Sequence, residues 1–233
     1  MPSSPRWVEA VNNALRQHPE HQPTVYQVAT VDASGHPRVR TQVHRAFHHP
    51  PDRPDLPLLV TSTDAHTPKV TQLHASARVE LCWWFPGTQD QFRIAGFAHV
   101  RPAPSPSAPA EPTPIPAGAT ALETLRDGGF DWDAKRREAF LAMSPGMRAS
   151  WCAPDAPGSP LGSYEEQKGW PRSVPAEPET EEDRKNWEMS LGNFALMLVE
   201  PVEVDWVELG VKPNRRTAFK REGEGWVEQL VVP

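Results

Sequence analysis

Strand-like runs separated by connections of only a few residues constrain this chain more than any other feature. Thr24 to Val31 is followed at once by the turn Ala33-Ser34-Gly35-His36 and by a second run, Arg38 to Phe47, a hairpin signature. Leu58 to Thr63 is a further strand. Val79 to Phe85 and Phe92 to Val100 are joined only by Pro86-Gly87-Thr88-Gln89-Asp90. Strand character returns late, in Phe194 to Val199, Val202 to Leu209, Arg216 to Lys220 and Trp226 to Val232. A parallel crossover needs about a dozen residues or more, usually helical. Most of these connections are too short for that, so neighbouring strands must run antiparallel. Strands early, insertions in the middle and strands again late predict a mainly β fold with peripheral helices. Its architecture would be one antiparallel barrel whose last strands complete the first.

Trp7, Val8, Val11 and Leu15 recur at helical spacing and predict an amphipathic helix over residues 5–18. A short helix carrying Val70, Leu73 and Ala77 starts at Thr67-Pro68, where proline suits the first turn. Asp131 to Met143 reads as a helix with Asp131 or Asp133 near its cap, and Glu181 to Leu191 as another. Residues 102–118, dense in Pro, Ala and Ser, read as an extended or disordered insertion, and residues 153–182 as long loops. Many of the 28 prolines sit there, so the core of this 233-residue chain is smaller than its length allows. Residues 1–233 read as a single domain with those insertions.

With 24 cationic and 30 acidic residues the net charge is −6 and no long basic run occurs, which argues against nucleic-acid or anionic-membrane binding. Two cysteines, Cys82 and Cys152, make neither a disulfide framework nor a zinc site, and no histidine shows metal spacing. Nothing approaches the roughly 20 apolar residues of a membrane span. The default expectation is a cytoplasmic protein.

The chemistry concentrates between Arg40 and Gln91, in Arg40-Thr41-Gln42-Val43-His44-Arg45, Ser62-Thr63-Asp64 and Thr67-Pro68-Lys69. On the second strand Val39, Thr41 and Val43 share one face, and Arg40, Gln42 and His44 the other. Arg40 and Arg45 face opposite sides unless a bulge or strand end re-aims one. Singly, each feature has an ordinary reading: solvated strand arginines, Thr67 as a helix cap, Trp206 and Trp226 as core or interface aromatics. Jointly they are what a phosphorylated heteroaromatic cofactor requires. Arg grips phosphate through parallel hydrogen bonds, Lys supplies a point charge, and a helix N-terminus offers free N–H groups.

In order and spacing these motifs resemble the FMN-binding split-barrel family of the pyridoxamine 5'-phosphate oxidase type. Arg78-Val79, Gln91, Gly96, Trp206, Arg215-Arg216, Gly225-Trp226 and Leu230 to Pro233 extend the match. The resemblance implies a split barrel, FMN as cofactor, and an FMN-dependent oxidoreductase with a small-molecule substrate; it assigns no catalytic residue. It implies that Arg40, Thr41, Arg45, Ser62, Thr63, Thr67 and Lys69 contact the cofactor, with the Gln91 amide near the flavin ring and Trp206 and Arg216 beside it. Family sites lie between two subunits, which implies a homodimer. The substrate positions depart from the family pattern. Where it holds the substrate phosphate with an aromatic hydroxyl, Arg and Ser, this chain has Phe140, Ser144 and Arg148. The late Arg-x-His element reads Arg215-Arg216-Thr217. Arg148 and Arg215 are therefore candidates for a rebuilt substrate site. The alternative is a non-catalytic flavin- or haem-binding split-barrel protein.

Overall fold

The computed structural model describes residues 3–17, 24–104, 114–223 and 225–233; the centre of the Pro-rich insertion lies outside them. Helix α1 (Arg6–Gln17) precedes the hairpin of β1 (Val25–Val31) and β2 (Pro37–Val43), which turns at Gly35 with a φ of 80°. That left-handed backbone is where glycine costs least. Next come β3 (Ala46–His48), β4 (Leu58–Asp64), α2 (Pro68–Ala75), β5 (Arg78–Phe85) and β6 (Asp90–Arg101). After the helical region, β7 (Phe194–Glu208), β8 (Arg215–Glu222) and β9 (Gly225–Leu230) finish the sheet. All pairings are antiparallel, in the order β2-β1-β5-β6-β7-β4-β3, with β8 on β7 and β9 on β8.

Two expected strand boundaries are corrected. The run Arg38 to Phe47, expected as one strand, is two. The His44 N–H donates to the Thr24 carbonyl, whereas the Arg45 N–H donates to the Val60 carbonyl. Ladder partners thus change between consecutive residues. β2 and β3 lie at opposite ends of the strand order, so this link closes the sheet into a barrel. Conversely, Phe194 to Val199 and Val202 to Leu209, expected as two strands, are one. Pro201 is accommodated because the β6–β7 register shifts between Ala95 and Gly96. A Cβ on Gly96 would lie 2.1 Å from the Glu200 carbonyl oxygen, so only glycine permits the approach. β7 pairs with β6 along its length, with β4 through its first half and with β8 through its second. It is the strand on which the barrel splits.

α1 delivers Trp7, Val8 and Val11 into the barrel core beside Leu81, Trp83, Phe92 and Ile94. A second core lies outside the barrel, where α3 (Thr120–Asp127) packs Ala121, Leu122 and Leu125 on Leu58, Val60, Leu196 and Leu198. α3 has no sequence-local cap to announce it. The buried Glu200 carboxylate of β7 accepts instead from the Ala121 and Leu122 N–H groups, at 2.9 and 3.0 Å, and pairs with Arg221. Beyond it, α4 (Trp132–Leu141) starts at Asp131, whose side chain accepts from the Ala134 N–H. α5 (Pro145–Ala149) was not expected, and the stretch expected as loops holds a 3-10 helix, Tyr164–Gly169. α6 (Glu181–Asn193) opens on a capping box of Thr180 and Asp183. Phe140, Met143, Trp151, Leu191 and Phe194 form a third cluster joining these helices to β7. Among the described residues no helix is long and apolar enough to cross a membrane.

Glu200→Ala would leave Arg221 buried and unpaired and uncap α3. Urea unfolding should show a loss of about 3–5 kcal/mol; a loss under about 1 kcal/mol would show that the pair does not hold α3 to the barrel.

Candidate functional site

Strand parity puts Arg40 and Gln42 on the inward side of β2, while Val39, on the other face, is 64% exposed. This inversion, polar in and apolar out, occurs where β2 meets the end of β4 and the start of α2. Lys69, on the first turn of α2, is only 7% exposed and donates its Nζ to the Gln42 Oε1 at 2.5 Å. The Gln42 Nε2 in turn donates to the Thr61 hydroxyl (2.8 Å) and the Ser62 carbonyl. The Arg40 guanidinium is held by the Thr30 hydroxyl (2.6 Å), the Gln72 side-chain carbonyl (2.9 Å) and the Arg38 carbonyl (2.9 Å). Ser62 and Thr63 are buried, and the Thr67 hydroxyl lies 3.3 Å from that of Thr63. Thr67 donates to the Asp64 carbonyl rather than capping its helix.

Among the described residues every hydrogen-bond partner of these two cations is neutral. Burial, and secondarily the charge of Arg40, push the Lys69 ammonium down to about 8. Desolvation also lowers Arg40. Burying an ammonium without an anion is costly, so this cluster stores free energy that an arriving anion releases. Arg45 is a separate case. Among the described residues its half-buried guanidinium reaches the sulfurs of Met143 and Met147, each 3.6 Å from Nη2, and its buried Nε has no hydrogen-bond partner. Thr41 is exposed on the opposite face from Arg40.

The remaining expected site residues lie elsewhere. Gln91 pairs with Val207 on β7, whereas Ser62 pairs with Leu196. From Leu196 to Val207 is roughly 35 Å of strand path at about 3.3 Å per residue. Trp206 stacks on Phe92 (5.5 Å, 12°), donates its indole N–H to Asp90 and lies under the Arg6 guanidinium. Arg216 forms a two-pronged pair with Asp205, 2.8 Å on each arm, and Arg93 pairs with the same carboxylate. Arg215 is exposed at the start of β8. The chain thus brings Arg40, Ser62, Thr63, Thr67 and Lys69 together and leaves Gln91, Trp206, Arg215 and Arg216 at the far end of the sheet. Arg148 is buried, with Nε donating to the Val174 carbonyl and Nη1 to those of Leu141 and Met143. Sequence reasoning gave Gln42 and Thr61 no role, although Gln42 alternates with Arg40 on one face; that parity was the available signal.

A family model described as pyridoxamine 5'-phosphate oxidase, FMN-binding domain, matches residues 4–102, which contain the whole cluster. A curated relative, pyridoxine/pyridoxamine 5'-phosphate oxidase 2 of Arabidopsis thaliana, is 27% identical over 97% of this chain and 96% of its own length. A solved pyridoxamine 5'-phosphate oxidase-related, FMN-binding protein from Nostoc punctiforme superposes with a TM-score of 0.72 at 25% identity, covering 99% of this chain and 100% of that one. Residues 4–102 thus match the FMN-binding domain of pyridoxamine 5'-phosphate oxidase, and the whole chain is similar to proteins described as such oxidases or related to them. PhzG of Burkholderia lata, solved with tetrahydrophenazine-1-carboxylic acid, shares the fold at a TM-score of 0.60 and 15% identity over 100% of this chain and 94% of its own. The donor set on α2 and β2 lies inside the matched residues, and its two cations have no anionic hydrogen-bond partner among the described residues.

The fold penalises the charged Lys69 side chain, whose value of about 8 lies below the ordinary 10.5. That penalty is fully present below about pH 8 and fades as pH rises toward 10.5, so stability attributable to this group increases across that window. Lys69→Met should therefore stabilise the ligand-free protein at pH 7 by about 1–2 kcal/mol. The advantage should shrink between pH 8 and 10.5 in thermal melts; a destabilised variant at pH 7 would contradict it.

Proposed function

We propose that this protein is an FMN-dependent oxidoreductase acting as a homodimer on a small organic substrate. The observation that carries the reading is the buried Lys69 ammonium, held with Arg40 among neutral partners inside a match to an FMN-binding domain. Lys69 would meet the phosphate as a point charge, and Arg40, oriented by Thr30 and Gln72, would add directed donors. The Ser62, Thr63 and Thr67 hydroxyls would bond the phosphate and the ribityl chain. Bound FMN would supply two-electron hydride chemistry at its ring.

A dimer explains why the other expected contacts stand apart in one chain. Val25, Val39 and Trp84 are large apolar side chains exposed on the outer face of β2, β1 and β5. On that face Val25 opposes Val43 and Val39 opposes Ala29, while Trp84 opposes Gln91 of β6. Pairing this surface with a second copy would cover the apolar patch. It would also carry one subunit's Thr41, Gln91, Trp206 and Arg216 toward the other's Lys69 cluster.

Titration with FMN should quench its fluorescence with one flavin per chain. Lys69→Ala and Arg40→Ala should each weaken binding by about 1.5–3 kcal/mol, roughly 10- to 150-fold. No quenching, or unaltered affinity in both variants, would refute the reading. FMN bound but never reduced by any donor would leave a binding protein. Sedimentation should give a dimer, and the double variant V39E/W84E should give monomers that bind FMN at least about tenfold more weakly.

A further inference from the structure

We propose that two histidines, His48 and His99, latch the start of α4 onto the barrel while they are uncharged, and that acid releases this segment while the barrel stays folded.

The latch is built on the two sides of one aromatic pair. Phe130 and Trp132 lie edge to face with ring centroids 4.8 Å apart, where the chain leaves α3 and enters α4. On one side Phe130 meets the His48 ring of β3 at 5.2 Å. On the other, Trp132 meets the His99 ring of β6 at 5.9 Å and lies 4.7 Å from the Arg101 guanidinium. The histidines therefore reach one short segment from two strands that are not neighbours in the sheet. The surroundings are the second core, to which α3 brings Ala121, Leu122 and Leu125, β4 brings Leu58 and Val60, and β7 brings Leu196 and Leu198.

Missing partners mark the pair. His99 is 0% exposed, and neither of its ring nitrogens has a hydrogen-bond partner among the described residues. The His48 Nε2 is likewise buried without a partner. A neutral imidazole tolerates such a place, whereas an imidazolium would bring a full charge and two N–H donors to it.

The neighbouring charges oppose protonation. His99 faces Leu198 on β7 and Trp132 on α4, and Arg101 of its own strand and His74 of α2 act against its charged form. Near His48, Lys135 of α4 and the adjacent His49 do the same. Glu138 favours the charged form of His48, but its carboxylate is paired with Lys135 at 2.7 Å. Asp133, in the first turn of α4, is paired with Arg136 and Arg137. Desolvation first, and these cations second, hold His99 down to about 3 and lower His48 as well.

The sign follows from linkage. A histidine that titrates at its ordinary 6.5 when the segment is open, and at about 3 when it is closed, favours closure fully above pH 6.5. That contribution is lost as pH falls from 6.5 toward 3. At pH 5, His99 alone favours opening about 30-fold relative to neutral pH. The start of α3 is gripped independently, by the Glu200 carboxylate at the Ala121 and Leu122 N–H groups. Opening is thereby confined to residues 130–135, where Asp131 caps α4.

Hydrogen exchange read by mass spectrometry at pH 7.5 and 5.0, corrected for the chemical exchange rate at each pH, tests the latch. Amides of residues 130–135 should open at least about tenfold more at pH 5.0. Those of Ala121, Leu122 and strands β1, β5 and β7 should change less than about twofold. The double variant H48F/H99F keeps a ring at both places, and its acid opening should fall below about twofold. Acid opening that persists in that variant, none in the unsubstituted protein, or equal opening of the barrel strands would each overturn the proposal. NMR titration of the His99 ring in the unsubstituted protein decides the matter even where the variant fails to fold. The ring should stay neutral at pH 5.0, and a ring that charges near 6.5 in the folded protein would overturn the latch.

Discussion

The hydrogen bond from the Lys69 ammonium to the Gln42 amide organises this end of the molecule. It ties the first turn of α2 to the inward face of β2, and Gln42 passes the tie on to Thr61 and Ser62 of β4. A carboxylate in place of Gln42 would neutralise the ammonium and stabilise the fold, but it would also fill the electrostatic vacancy that an anionic ligand needs. A neutral amide orients the charge without cancelling it. In the proposed reading stability is given up locally for affinity, and burial of the ammonium is what lowers the lysine value.

Barrel closure is what makes that arrangement possible. The sheet changes partners between His44 and Arg45, so the strand carrying Arg40 and Gln42 ends against β4. The same corner sends the Arg45 guanidinium outward to the α4–α5 loop. Two cations five positions apart thereby serve different places: one faces the buried cluster, the other the sulfurs of Met143 and Met147. Around them the helices hold position through buried polar clamps. Glu200 grips the start of α3, Arg136 donates to the Leu191 and Phe194 carbonyls, and Arg148 secures the α4–α5 loop.

Much of this was legible in the sequence where the signal was local. Short turns fixed antiparallel pairing, Trp7, Val8 and Val11 marked α1, and Asp131 marked the start of α4. The order of the Arg40, Ser62 and Lys69 motifs pointed to the family. Long-range causes were illegible. The broken strand at His44 depends on barrel closure, and the unbroken β7 depends on Gly96 facing Pro201 from another strand. α3 is capped by Glu200, a residue remote in sequence from Ala121. Arg148 looked like a free cation because its carbonyl acceptors, at Leu141, Met143 and Val174, carry no mark in the residue string.

Titrating the Lys69 side chain itself, by NMR of selectively labelled lysine with and without FMN, tests the central claim most directly. The ligand-free protein should give a value of about 8. With FMN bound, the value should climb to about 10 or above as the phosphate supplies the missing negative charge. A Lys69 whose titration is unmoved by saturating FMN would contradict the account.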